Sequence, residues 1–356
     1  MLQSTILRFE VFFRFYIFWY ELFAPRCDII IAQIQCTYQM VSERAEKASA
    51  TRRIAAYAAA TVFGSLAKDR LRQFTAAAEW RIMRLLFIRH GDPDYQNDCL
   101  NEIGVREARA LSALVPKMEL GTCFMSPLGR AQETCAVALG KADPAAKGVQ
   151  AAEPLRDHIT TLDWLREFPA QVDANDCELL QSAYHLKTLP DGTYKKRIVW
   201  DMYPSYYVEH PEYSDHDAWR SSLVADRSDV VPVFDYVTEQ FDNLLASYGY
   251  VREGRHYRVE RESTQTLTFF CHFGITCVLL AHMWNVSPFV TLHSLCMPTS
   301  SVTELYTEER QKGYAHFRAT RIGDTTHLTM AGLKPERLPH SALFAEVYSD
   351  SSQRHD

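Results

Sequence analysis

The sequence predicts an α/β fold: a three-layer α/β/α sandwich with a mostly parallel sheet and one inserted segment. Two observations predict it. Short continuous apolar runs, Leu85–Ile88 and Thr266–Cys271, each end in a polar, glycine-containing turn, the pattern of buried strands in an α/β sheet. Between and after them, apolar residues recur at helical spacing. Strands alternating with helices imply a sheet covered on both faces.

Taken in order, Leu85–Ile88 is the first strand and runs directly into Arg89-His90-Gly91. Asn101 can cap a helix whose apolar face is Gly104, Ala108, Leu111 and Val115. Cys123–Met125 is a second short strand. Ser126 and Pro127 then offer an N-cap residue and a first-turn proline for a helix carrying Ala131, Cys135 and Ala138 on one side. Residues 170–225 are rich in Tyr, Trp, Asp and His with little periodicity, and read as an insertion packed over the main sheet. Val230, Val233, Phe234, Val237, Phe241, Leu244 and Leu245 trace an amphipathic helix. After Thr266–Cys271 comes a helix over Ile275–Ala281, apolar on most sides and therefore largely buried. Val302–Tyr306 and His316–Ile322 read as closing strands.

Bulk properties restrict the partners. With 47% hydrophobic and 23% charged residues, the 356-residue chain has ordinary globular composition. A formal net charge of −6 supplies no global attraction to nucleic acid or anionic membrane. Positive charge for an anion must therefore be concentrated in a pocket. The nine cysteines show neither CxxC pairs nor Cys/His ligand spacing, so no metal site is expected, and reduced cysteines suit a cytoplasmic protein.

The first 82 residues differ in character. Leu7–Phe23 is dense in aromatics, but Arg8, Glu10, Arg14 and Glu21 interrupt it, short of the roughly 18 to 20 apolar residues a membrane span needs. Residues 43–84 are rich in Ala and Arg. Residues 1–82 are accordingly expected to lie outside the functional domain, as an extension or as an untranslated upstream start. An interfacial anchor is the less favoured reading. The functional domain is expected over 83–335 and a tail over 336–356.

Three strand ends carry the chemistry. Arg89-His90-Gly91 and His272-Phe273-Gly274 each place a histidine near a glycine, and Ser126-Pro127-Leu128-Gly129-Arg130 sets an arginine in the first turn of a helix. Ligands of open α/β sheets bind at the carboxyl ends of strands, and a helix N-terminus favours an anion. Arg-His-Gly, then Ser-Pro-Leu-x-Arg-Ala, then His-x-Gly, in this order over roughly 83–330, resembles the histidine phosphatase superfamily, also called phosphoglycerate mutase-like. The resemblance implies a phosphate pocket formed by Arg89, His90, Arg130 and His272, with His90 as the transiently phosphorylated nucleophile and no cofactor.

It also implies an acidic residue in a later loop that protonates the leaving oxygen. In Leu162-Asp163-Trp164-Leu165-Arg166-Glu167, the Leu165-x-Glu167 form is similar to the family's, which makes Glu167 the expected general acid and Asp163 the runner-up. Asn97 stands one residue off the family's usual phosphate-donating asparagine. Asp92 takes a place where the family more often has Glu or Gln, and suits a tight turn before Pro93. Ser300 and Ser301 fit either the pocket rim or a plain turn.

The loop Asp94–Cys99 is shorter than in phosphoglycerate mutases, which favours hydrolysis of a small-molecule phosphomonoester. A phosphomutase, or a catalytically silent protein that binds a phosphorylated ligand or partner, is the alternative. A homo-oligomer is compatible with the sequence.

Overall fold

The computed structural model describes residues 82–141 and 159–333. Expectations for the N-terminal extension and for the tail at 336–356 fall outside the described residues.

Twelve strands and nine α-helices follow one another among the described residues. They run β1 (Arg84–Arg89), β2 (Pro93–Asp94), β3 (Cys99–Leu100), α1 (Glu102–Leu114), β4 (Thr122–Met125), α2 (Gly129–Ala138) and β5 (Thr160–Thr161). The inserted segment holds β6 (Gln171–Val172), α3 (Glu178–Ala183), β7 (Arg197–Ile198), α4 (Pro204–Glu209) and α5 (Leu223–Asp226). Then come α6 (Val230–Ser247), β8 (Tyr250–Glu253), β9 (His256–Val259), β10 (Thr266–Cys271), α7 (Phe273–Trp284) and α8 (Pro288–Ser294). The hairpin β11 (Val302–Gln311) and β12 (Tyr314–Asp324) and the short α9 (Thr326–Met330) close the series.

Eight strands form one sheet in the order β5-β4-β10-β1-β11-β12-β9-β8. The half that carries the three motif turns is parallel: β1 pairs with β10, β10 with β4, and β4 with β5. Beyond β1 the sheet turns antiparallel through β11, β12, β9 and β8. Tight turns account for two of these pairs, β11–β12 and β8–β9, since strands so joined must run oppositely, whereas β1–β11 and β12–β9 pair across long stretches of chain. The hairpin β8–β9 and the helices α8 and α9 had no clear signature in the sequence.

Side-chain alternation along β1 sorts the layers. Leu85 and Phe87 join a cluster with Phe124, Phe241, Leu245, Phe269 and the apolar residues of α7. Leu86 and Ile88 point the other way, into a cluster with Leu111 of α1, Cys135 and Ala136 of α2, and Phe270. Helices thus cover both faces of the sheet. Phe87, Phe269 and Phe124 form a stack across three neighbouring strands, with ring centroids 5.0 and 5.3 Å apart. The all-round apolar helix expected over Ile275–Ala281 is α7, whose residues 273–281 are all buried.

The insertion's aromatics mostly complete the core. Trp200, Tyr213 and Trp219 are buried and belong to the same cluster as Phe87 and Phe269. Trp219 meets Phe234 edge-on at 5.2 Å, and Tyr213 meets Phe289 at 5.1 Å.

One close approach fixes the first motif against α1. Asn101 caps this helix, its Oδ1 accepting from Ile103 and Gly104 N–H. A Cβ on Gly104 would lie 2.2 Å from the Asp92 carbonyl oxygen, and one on Gly91 would lie 2.7 Å from the Gly104 carbonyl oxygen. Backbone meets backbone here, so neither residue has a flexible neighbour that could yield. Gly104→Ala should therefore destabilise the fold by about 1–3 kcal/mol, the usual cost of overpacking. A chemical-denaturation midpoint equal to that of the wild type would contradict this packing.

Candidate active site

The carboxyl ends of β1, β4 and β10 converge, and each delivers its motif. His90 follows the last residue of β1 and His272 follows the last residue of β10, which pairs with β1 throughout. The two imidazole centroids are 5.1 Å apart. His90 N–H donates to the Cys271 carbonyl at 3.0 Å, and the Ser300 N–H donates to the His90 carbonyl at 2.9 Å. The backbone is therefore pinned on both sides of the imidazole.

His90 Nδ1 lies 2.7 Å from the Gly91 carbonyl oxygen. A carbonyl only accepts, so Nδ1 carries the ring proton and Nε2 keeps its lone pair. Burial, reinforced by the Arg89 and Arg130 charges, holds the imidazole well below the usual histidine range, against the smaller opposing effect of the Gly91 hydrogen bond. At neutral pH it is an uncharged ring with a free lone pair on Nε2.

His272 Nε2 is 2.7 Å from Ser126 Oγ, which also accepts from the Leu128 N–H at 3.2 Å. With that lone pair engaged, the Ser126 hydroxyl proton can go to Nε2, leaving the ring proton on Nδ1. His272 Nδ1 is buried without a hydrogen-bond partner. Burial again dominates its lowered pKa, followed by His90 and the two arginines. Ser126 does not cap α2 as its sequence suggests. The helix begins at Gly129, with Leu128 as its N-cap residue, and the serine serves His272 instead.

Arg89 and Arg130 are both buried, at 4% and 8% exposure. Arg89 Nη1 donates to the Met297 carbonyl at 2.7 Å, and Arg130 Nη1 donates to Asp98 Oδ1 at 2.5 Å. In each guanidinium the Nε is buried with no partner.

Glu167 stands over the first turn of α7. Its Oε1 accepts from the Phe168 N–H at 2.9 Å and the Ile275 N–H at 3.2 Å. A Cβ on Gly274 would lie 2.8 Å from Glu167 Oε1 and 2.8 Å from the Trp200 ring, so the glycine of the third motif is what admits the carboxylate. Burial raises the Glu167 pKa, opposed by Arg130, Arg89 and the two backbone N–H groups. Asp163 is exposed, in a single 3-10 turn at Asp163–Leu165.

Asn97 is not brought into this cluster. Its amide donates to Asp94 Oδ2 at 2.8 Å and its backbone N–H to Asp94 Oδ1 at 3.2 Å, an Asx turn that keeps the residue exposed at the loop surface. The next residue, Asp98, is the one that reaches the cluster. Ser300 and Ser301 brace the end of β1: the Ser301 carbonyl accepts from Arg89 N–H, and Ser300 Oγ meets His327 Nε2 at 3.2 Å.

Sequence reasoning also passed over Thr134 and Glu107. Thr134 Oγ1 accepts from the Gly91 N–H at 3.0 Å. Glu107 accepts from the Asp92 N–H at 2.9 Å and the Thr299 hydroxyl at 3.1 Å. The available signal was a carboxylate one residue before Ala108 on the buried side of α1.

The family model "Histidine phosphatase superfamily (branch 1)" matches residues 79–167. The matched segment carries the first two motifs and ends at Glu167. Among solved structures it is similar to a phosphoserine phosphatase mutant from Entamoeba histolytica in complex with phosphoserine, at 13% identity and a TM-score of 0.41, covering 69% of this chain and 99% of that one. It is similar to a mycobacterial glucosyl-3-phosphoglycerate phosphatase at 17% identity and a TM-score of 0.38, covering 67% and 98%. A putative alpha-ribazole-5'-P phosphatase from Escherichia coli gives 16% identity and a TM-score of 0.39, covering 68% and 97%. No curated protein sequence matches the chain. No helix among the described residues is long and apolar enough to cross a membrane.

The brace at Glu107 has a measurable pH signature. Burial, with the neighbouring Asp92 charge, lifts its carboxyl to about 7, while the hydrogen bonds from Asp92 and Thr299 and the Arg89 charge pull it down. The folded state then holds a proton that the unfolded chain has lost, so stability falls as pH rises from about 4.5 towards 7. Glu107→Gln keeps an acceptor but cannot ionise. Its melting temperature should gain on that of the wild type between pH 5 and pH 8, and parallel curves would show that Glu107 titrates normally.

Proposed function

We propose that the chain is a metal-independent phosphomonoester hydrolase that works through a phosphohistidine on His90. One observation supports this reading above the others. Three buried polar atoms without partners, Arg89 Nε, Arg130 Nε and His272 Nδ1, belong to residues grouped with one neutral imidazole. A buried donor left unpaired costs about 1–3 kcal/mol. Three in one place make sense where an anion with several acceptor oxygens completes them. A phosphoryl group is such an anion, and guanidinium forks match its geometry.

On this reading the His90 Nε2 lone pair attacks phosphorus, the N–P bond forms, and the P–O bond to the alcohol breaks. Arg89, Arg130 and His272 donate to the oxygens that gather charge in the transition state. The leaving alkoxide takes a proton from Glu167, whose Oε1 is occupied by two N–H groups and whose other oxygen therefore carries the acid proton. Water then attacks the phosphohistidine and gives its proton to the Glu167 carboxylate. Phosphate leaves, and imidazole and acid are restored.

Hydrolysis rather than mutase chemistry is favoured by the short hairpin β2–β3, which leaves Asp94–Cys99 as the whole loop on that side. The substrate is a small phosphate ester.

Two measurements test the mechanism. His90→Ala should abolish hydrolysis of p-nitrophenyl phosphate that persists in EDTA, together with any acid-labile phosphate trapped on the wild-type protein. Turnover lost on adding EDTA, or retained in His90→Ala, would exclude the proposal. Glu167→Gln should lower kcat/KM for alkyl phosphates by about 10²–10⁴-fold, the usual worth of a general acid. It should change p-nitrophenyl phosphate hydrolysis far less, because that leaving group needs no proton. Equal losses on both substrates would mean the acid lies elsewhere. Because burial raises the Glu167 pKa, wild-type activity on alkyl phosphates should fall as pH climbs through that pKa, and Glu167→Gln should lack this limb.

A further inference from the structure

The two arginines of the site are tethered in the same way at different charge. Arg89 gives Nη1 to a carbonyl, that of Met297, and Arg130 gives Nη1 to a carboxylate, that of Asp98. In a guanidinium, Nη1 lies on the side away from the edge formed by Nε and Nη2. That second edge is the one that binds two oxygens side by side. Tethering Nη1 therefore points the bidentate edge, and in both residues the Nε on it has no partner.

We propose that Asp98 is a positioning residue that sets the free edge of Arg130 for the phosphoryl oxygens, a role that rests on the phosphate-binding reading above. Its own placement is over-determined. Asp98 Oδ2 accepts from the Gly129 N–H at 2.7 Å while Oδ1 holds Arg130, so one carboxylate spans the first turn of α2. Glu133 of the same helix accepts the Leu100 N–H at 2.6 Å and clamps the hairpin from the other side. Asp98 adopts a left-handed backbone, φ 48°, a region that aspartate enters more readily than most non-glycine residues. Above the guanidinium lies Tyr95 of the same loop, its ring centroid 5.4 Å from the Arg130 carbon. Asp98 fixes the plane's edge and Tyr95 covers its face.

A carboxylate at this place has a second possible consequence, competition with phosphate for Arg130. The two roles predict opposite effects, and anion binding to the full chain separates them. The affinities of inorganic phosphate and of orthovanadate, a mimic of the five-coordinate transition state, are measured by calorimetry for wild type, Asp98→Asn and Asp98→Ala. Positioning predicts that Asp98→Ala weakens vanadate by roughly tenfold or more, the scale set by losing a fixed geometry, and weakens phosphate less. Asp98→Asn, which keeps the shape and one acceptor and is expected to fold, should fall between. Tighter phosphate binding in either variant would overturn the proposal in favour of competition, and unchanged vanadate affinity in Asp98→Asn would overturn it outright. Wild-type protein that binds neither anion would remove the pocket and this role together. Anion binding with the predicted order but no turnover would sink the hydrolase reading while leaving the role of Asp98 supported.

Discussion

Two buried imidazoles held beside two buried guanidiniums set the terms for everything around them. Burial alone pushes a histidine towards its neutral form, and the arginines push further in the same direction. The positive charge of the cluster therefore sits on the arginines and an unprotonated lone pair on His90. Keeping that division requires a rigid frame, since water admitted between the groups would screen the charges and solvate the lone pair. The frame is built from backbone. His90 is hydrogen-bonded through its N–H to Cys271, through its carbonyl to Ser300, and through its ring to Gly91. The glycine contact between Gly91 and Gly104 locks the same turn to α1. Several donors remain unsatisfied in this frame, a local cost that the stacked phenylalanines and the apolar α7 beneath it can carry.

Much of this was legible in the sequence, for reasons that differ by element. Strands β1 and β10 could be read because both are flanked on two faces and so appear as unbroken apolar runs. Helix α6 could be read because one face meets the sheet and the other meets water. The hairpin β8–β9 lies at the antiparallel edge, where half-exposed residues such as Arg252 and His256 give no such pattern. Within the site, His90, Arg89, Arg130 and His272 were visible because each stands at the end of a readable element. The polar residues that orient them were not. Ser126 looked like a helix cap, and only the three-dimensional approach of β10 to β4 shows that it meets His272. Asn97 and Asp98 are adjacent, polar and in one loop, and the backbone angle that turns one inward and leaves the other outside has no sequence signal.

The aromatic density of the insertion illustrates a different limit. Tyr and Trp are equally suited to stacking on a ligand and to filling a core, and composition does not separate the two. Here Trp200, Tyr213 and Trp219 are almost wholly enclosed, and the insertion extends the main core over one face of the sheet. Only Trp200 comes near the cluster, where its ring approaches Gly274 beside Glu167. Glu167 is enclosed there, and its burial raises the carboxyl pKa. The segment expected to pack over the main sheet does so, and it reaches the cluster through the Trp200 ring.

The charge balance at the mouth of the site bears on how tightly it can hold what it binds. Arg89 and Arg130 are the cations, and Asp98 pairs directly with Arg130, while burial raises the carboxyl pKa of Glu107 and of Glu167. On the proposed phosphoryl-transfer reading, guanidiniums free to swing would bind product as firmly as the transition state, and binding of that uniform kind adds nothing to turnover. The Asp98 carboxylate on the far side of Arg130 fixes the direction in which the guanidinium donates. Direction matters most when the equatorial oxygens flatten and spread during transfer, and charge alone matters equally before and after. On that reading, an arginine whose Nη1 is tethered, by a carboxylate as Arg130 is or by a carbonyl as Arg89 is, is better suited to a group in passage than to one at rest.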